Sequence, residues 1–162
     1  RYNGATFSDI IADLKSKYGW KESNDKLLNK YQELLRSDYK HVAKPFPGAV
    51  EFLTFIRQKG IQAVLVTSAE DELANAFLEA NDLDKYFDFV VSANHATRGK
   101  PDPEVFFIAL EFLSIRPAEA IAIEDSARGI QSAKNAGIEV IAFGQEYKTW
   151  KDVLVYFSET YG

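Results

Sequence analysis

The chain has 162 residues, of which 46% are apolar and 27% charged, the composition of one soluble globular domain or of a domain with a small appendage. Nineteen basic against twenty-four acidic residues give a net charge of −5, which disfavours broad electrostatic binding of nucleic acid. The absence of cysteine excludes a disulfide framework, thiolate metal sites and a cysteine nucleophile, and points to a cytosolic home. No apolar run has the length of a membrane span and no secretory signal opens the chain. Methionine is also absent and the first residues are Arg-Tyr-Asn, so Arg1 is expected to lie inside a longer natural protein.

Phe7, Ile10, Ile11, Leu14 and Tyr18 recur at three- and four-residue steps and predict a helix ending near Gly19. Ser23 is an expected N-cap for a second helix, whose Leu27, Leu28, Tyr31, Leu34 and Leu35 predict one buried stripe. Lys44-Pro45-Phe46-Pro47-Gly48 cannot continue a helix and reads as a hinge. From there the pattern alternates. A helix over about 49–58 precedes a strand over 63–66, and a helix over about 71–81 precedes a strand over 89–91. The next helix begins at Asp102-Pro103, with Val105, Phe106, Ala109, Phe112 and Leu113 inward. A strand over 120–123 ends at Glu124-Asp125, a helix over 127–136 closes on Gly137, and a strand over 140–143 leads to a terminal helix through Trp150 and Phe157. Wholly apolar strands separated by helices predict an α/β fold: a Rossmann-like parallel sheet covered by helices on both faces, with a small α-helical piece in front.

In open α/β sheets ligands gather beyond the carboxyl ends of the strands, and polar groups fall there in three places. Thr67 and Ser68 follow the first strand, Lys100 lies in a proline-stiffened loop, and Glu124 and Asp125 follow the third strand. Each alone has an ordinary structural reading as a cap or as solvated surface. Together a hydroxyl, an ammonium and hard carboxylates suit a phosphoryl site with a divalent cation such as Mg²⁺.

Val64-Leu65-Val66-Thr67-Ser68, Gly99-Lys100-Pro101-Asp102-Pro103 and Ile123-Glu124-Asp125-Ser126, with Gly129 and Ala136-Gly137 beyond, resemble motifs two, three and four of the haloacid dehalogenase superfamily. The likeness is nearest to its β-phosphoglucomutase-like phosphatase branch. It implies that residues 1–43 are part of a helical cap and that 44–162 form the α/β core. It further implies that Thr67 and Ser68 bind phosphate, that Lys100 holds phosphate and nucleophile together, and that Asp125 and Glu124 serve Mg²⁺. Phe7 in the cap and His95 and Arg98 near the rim become substrate candidates; neither His95 nor His41 has metal-ligand spacing.

The superfamily's first motif, an Asp-x-Asp that supplies nucleophile and general acid, has no match here. Its strand lies centrally, between those bearing motifs two and four. The resemblance therefore implies a core lacking its first strand, a sheet with a gap, and no turnover by residues 1–162 alone. The expected function is Mg²⁺-dependent hydrolysis of a small phosphorylated metabolite through an aspartyl-phosphate, the nucleophile lying upstream of residue 1, with no nucleic-acid or membrane partner. A β-phosphoglucomutase-type phosphomutase and a non-catalytic binding or interaction domain are the alternatives. A phospho-receiver domain is disfavoured by the order hydroxyl, lysine, acids, and a dehalogenase by the acidic metal site.

Overall fold

The computed structural model describes residues 7–161, apart from the side chains at 7–10, 28, 32, 35 and 40. Helices α1 (Phe7–Tyr18) and α2 (Asn24–His41) come first. There follow α3 (Ala49–Gln58), β1 (Val64–Val66), α4 (Asp71–Ala80), β2 (Phe89–Val91), α5 (Glu104–Leu113), β3 (Ile121–Glu124), α6 (Ala127–Asn135), β4 (Glu139–Ala142) and α7 (Trp150–Tyr161). The predicted elements stand within one or two residues of these bounds. Three short 3₁₀ turns (Asp84–Tyr86, Ala93–His95 and Pro117–Glu119) lie in segments that carry no periodic signal.

Helix ends form where the local chemistry favours them. Ser23 Oγ accepts from Lys26 N and starts α2, while Ser126 Oγ accepts from Gly129 N and starts α6. Gly137, at φ +76°, takes the left-handed conformation that stops α6, which a residue with a Cβ adopts only at a cost.

Strands β1 and β2 pair in parallel, Val64 opposite Phe89, and β3 and β4 pair in parallel, Ile121 opposite Glu139. The sheet is broken: among the described residues no ladder joins β1 to β3. Helices cover both faces. Val91 and Ala122 pack with Val105, Phe106 and Ala109 of α5 and Ala133 of α6. On the other face Ile141 packs with Phe52, Leu53 and Ile56 of α3, Leu78 of α4, and Val153 and Phe157 of α7. Alternate strand residues thus feed two cores, as a sheet buried on both faces requires.

Two burial expectations are corrected. Helix α2 does not bury its whole apolar stripe: Leu34 is 58% and Tyr31 44% exposed. The helix meets α4 along one edge through an Arg36–Glu72 ion pair and an edge-on Tyr39–Phe77 contact, which leaves Leu34 and Tyr31 exposed. Phe112 is also not inward. It is 46% exposed and stacks on Phe89 with centroids 4.2 Å apart, while Leu110 fills the core position instead. The buried positions 105, 106, 109 and 110 turn the inward face of α5 away from Phe112, which lies at the margin of the apolar stripe.

Candidate phosphoryl-transfer site

Lys100 is the centre of the site. Its side chain is only 9% exposed, yet it hangs from a loop. The loop is braced on its outer side by Glu104, whose carboxylate accepts from Thr97 N and Arg98 N at 3.0 Å each and from Thr97 Oγ1. The Thr97 N–H first, then the Arg98 guanidinium, the Thr97 hydroxyl and the Arg98 N–H hold the Glu104 carboxyl down to about 2. The Lys100–Pro101 peptide is cis.

The Lys100 ammonium donates to Val66 O, at the last residue of β1, at 3.2 Å, and to Glu124 Oε1, at the last residue of β3. It also lies 5.3 Å from the centre of the Phe106 ring, a cation–π contact that helps to replace lost hydration. One side chain therefore ties the carboxyl ends of β1 and β3 to a single rim. Removing two charges from water is costly, and a buried Lys–Glu pair is weak evidence for stability.

The other expected residues distribute unequally around this ammonium. Thr67 follows Val66 directly and is half-buried; its N–H donates to Val91 O at 2.8 Å, and its Oγ1 accepts from Ala69 N at 3.1 Å. With Oγ1 accepting from the main chain, its own proton is free to donate outward. Ser68 is exposed beside it. Asp125 is exposed at the end of β3, and among the described residues no hydrogen bond or ion pair engages its carboxylate. Glu124, by contrast, is 9% exposed and committed to Lys100. It lies against Gly129, where an added Cβ would come within 1.9 Å of Oε2.

Two rim candidates have other occupations. His95 Nδ1 accepts from Ser92 N at 3.1 Å and lies 3.0 Å from Ser92 Oγ, and its ring meets Phe89 edge-on. It caps its own turn. Arg98 pairs with Asp102 at 3.2 Å and Glu104 at 3.1 Å, a brace for the Lys100 loop on the solvent side. Phe7 opens α1, but its side chain lies outside the described residues. Sequence reading missed Arg128, whose Nε donates to Lys100 O at 2.8 Å; only its position three residues after Asp125 hinted at it.

Beneath the rim, between the two strand pairs, runs a cavity of about 710 Å³. Val64, Leu65 and Val66 of β1 form one wall and Ile121, Ala122 and Ile123 of β3 the other. Phe106 and Leu110 lie on one side and Phe52 and Ile56 on the other, with Glu124 and Asp125 along its lining. Trp150 also lines it, and its indole N–H is buried with no acceptor among the described residues. An orphaned donor of this kind costs on the order of 1–3 kcal/mol.

The adjacent Glu124 and Asp125 are hard oxygen donors. Among the described residues no cluster of three or more acid, histidine or cysteine groups is placed to hold a metal. Two carboxylates fit Mg²⁺, which is habitually held by one or two protein carboxylates with waters and phosphate oxygens completing the shell. Among the described residues no helix is long and apolar enough to cross a membrane.

A family model for haloacid dehalogenase-like hydrolases matches residues 1–143. A Thermotoga maritima protein named phosphorylated carbohydrates phosphatase is 36% identical over 121 residues, 75% of this chain and 56% of that protein. A Nitrosospira multiformis phosphoglycolate phosphatase is 29% identical over 136 residues, 82% of this chain and 60% of its own length. The chain thus spans little more than half of these relatives. Among solved structures, a candidate beta-phosphoglucomutase from Thermotoga maritima superposes with a TM-score of 0.81 at 30% identity, covering 96% of this chain and 72% of that one.

Proposed function

Because the chain belongs to the haloacid dehalogenase-like hydrolase family, we propose that the protein is a Mg²⁺-dependent phosphatase of small phosphomonoesters. The observation that carries this reading is the buried Lys100 ammonium, held by Val66 O and Glu124 above an apolar cavity. A strand from upstream of residue 1 enters that cavity, meets the free inner edges of β1 and β3, and offers a main-chain acceptor to the Trp150 indole. At its carboxyl end it delivers two aspartates to the rim. Residues 44–162 are then the core, and residues 1–43 belong to a helical cap.

In the first step a carboxylate oxygen of the leading aspartate attacks phosphorus. The bond from phosphorus to the leaving oxygen breaks as the second aspartate protonates that oxygen. In the second step water, losing its proton to the same aspartate, attacks phosphorus, and the acyl–phosphate P–O bond breaks to release orthophosphate. Lys100 screens the repulsion between carboxylate and phosphate. The Thr67 hydroxyl donates a hydrogen bond to a phosphoryl oxygen, and the exposed Ser68 adds one from its N–H. Asp125 and Glu124 would hold Mg²⁺, which when bound neutralises charge on the phosphoryl oxygens.

Small phosphorylated metabolites, sugar phosphates foremost, are the proposed substrate class; the Thermotoga relative is named for phosphorylated carbohydrates. Hydrolysis of p-nitrophenyl phosphate by the complete protein, including the segment upstream of residue 1, with Mg²⁺ and then with EDTA, tests the reaction. Activity is expected only with metal, and Asp125→Ala should lower it by about two orders of magnitude or more. Metal-independent activity, or full activity in Asp125→Ala, would overturn the proposal. The structural likeness to a candidate beta-phosphoglucomutase supports a phosphomutase as the second reading, recognised by conversion of a hexose 1-phosphate to its 6-phosphate without net release of phosphate.

A further inference from the structure

The main chain on either side of the Lys100 ammonium has a support that does not come from its own loop. Carbonyls of Lys100, Pro101 and Asp102 follow one another along the chain, and among the described residues no main-chain N–H donates to any of the three. All three are satisfied by side chains of α6. Arg128 donates to Lys100 O through both Nε, at 2.8 Å, and Nη2. Ser132 Oγ donates to Asp102 O at 2.5 Å, and Asn135 Nδ2 donates to Pro101 O at 3.0 Å. Positions 128, 132 and 135 are spaced four and three apart, so they lie on one helical face. Ser132 is fully buried, whereas the Asn135 contact is exposed.

We propose that Arg128, Ser132 and Asn135 form a positioning ladder that sets where the Lys100 ammonium points. None of the three is proposed to touch substrate. The same helix turn carries Gly129, which leaves room for Glu124, so α6 places both partners of the buried ion pair. Arg128 is the critical rung. Its planar fork reaches one carbonyl with two N–H groups, and a lysine there offers only a flexible point charge. With the main chain of Lys100 fixed by α6, its side chain has one way to satisfy an ammonium in a nearly dry site, through Val66 O and Glu124. Release of the carbonyl lets the loop swing outward and carry the ammonium toward water.

The catalytic value of this ladder rests on the phosphatase reading, but the placement of Lys100 does not, and the test separates them. Brief acetylation of the folded protein, read lysine by lysine by mass spectrometry, reports the accessibility of each amine without any turnover. Lys100 should be among the slowest lysines. In Arg128→Ala its rate should rise about tenfold relative to the other lysines, the equivalent of one strong hydrogen bond lost. In Arg128→Lys the rise should be only slightly smaller. Asn135→Ala, at an exposed rung, should give a smaller selective rise. A Lys100 rate unchanged in both alanine variants would overturn the ladder, and so would a rise shared equally by all lysines, which marks general loosening. Loss of phosphatase activity in the unmodified protein would leave the labelling result intact and would sink only the catalytic reading.

Discussion

Gly129→Ala puts one methyl group into the closest contact of the site. The new Cβ would stand 1.9 Å from Glu124 Oε2 and 2.4 Å from its Cδ, where ordinary contact begins near 3.4 Å, so the carboxylate must move by about 1.5 Å. The clash is with the far end of a flexible side chain, and rotation of Glu124 relieves it. That rotation breaks the Glu124–Lys100 bond, because the ammonium is held from the other side by Val66 O and the loop. The displaced carboxylate reaches the rim and water, so the loss is that of a hydrogen bond to a charged group, about 1.5–3 kcal/mol, and not the larger cost of a stranded buried charge. Alanine in place of glycine in a helix returns about 1 kcal/mol, leaving a net loss of roughly 0.5–2 kcal/mol. Calorimetry should show a melting temperature a few degrees lower, at about 2–4 °C per kcal/mol for a domain of this size. Hydrolysis of p-nitrophenyl phosphate by the complete protein, which carries the upstream aspartates, should fall by about tenfold or more, because Lys100 loses the partner that orients it. A variant that melts higher than the parent and retains full activity would refute the reasoning, since the helix gain would then be acting alone.

The remaining predictions concern the supports of the site. Glu104 has a folded carboxyl held at about 2 against an ordinary 4.5, so the folded state binds fewer protons than the unfolded one between those values. Its contribution to stability is therefore fully present above pH about 4.5 and is lost as pH falls toward 2. Urea titrations should find the parent more stable than Glu104→Gln at pH 6, with the difference shrinking to nothing near pH 2. Gly48 starts α3 at φ +87°, and a Cβ there would lie 3.0 Å from Trp150 Cβ. Gly48→Ala should cost about 1–2 kcal/mol from the left-handed backbone alone. The melting temperature should fall by about 2–8 °C, measured by circular dichroism.

Much of this molecule is legible in its residues before any coordinates. Ser23, Ser126 and Gly137 mark helix ends by local chemistry, so their signals survive without tertiary context. Thr67 and Glu124 also stand out, because the alternation of apolar strands and helices places them at strand ends whatever the detailed packing, while Lys100 stands out by its Gly-Lys-Pro-Asp-Pro run, in a loop beyond β2. His95 and Arg98 were less readable. Both look like rim groups by position, and only the coordinates reveal that Ser92 occupies one, and Asp102 and Glu104 the other. The α6 ladder was beyond reach, because its three donors lie some thirty residues from their acceptors and resemble ordinary surface polar residues.

Length, charge and motif order by themselves determined an α/β domain of −5 net charge whose polar strand ends suit phosphate and a hard cation. Those properties depend on composition and on periods of 2.0 and 3.6, which the chain carries locally. The gap between the strands of motifs two and four was already implied by the resemblance; tertiary structure decided that a cavity of about 710 Å³ lies in that gap and that Lys100 spans its rim. Those features are juxtapositions of segments far apart in sequence, and they arise only when two cores close on the strands from opposite faces.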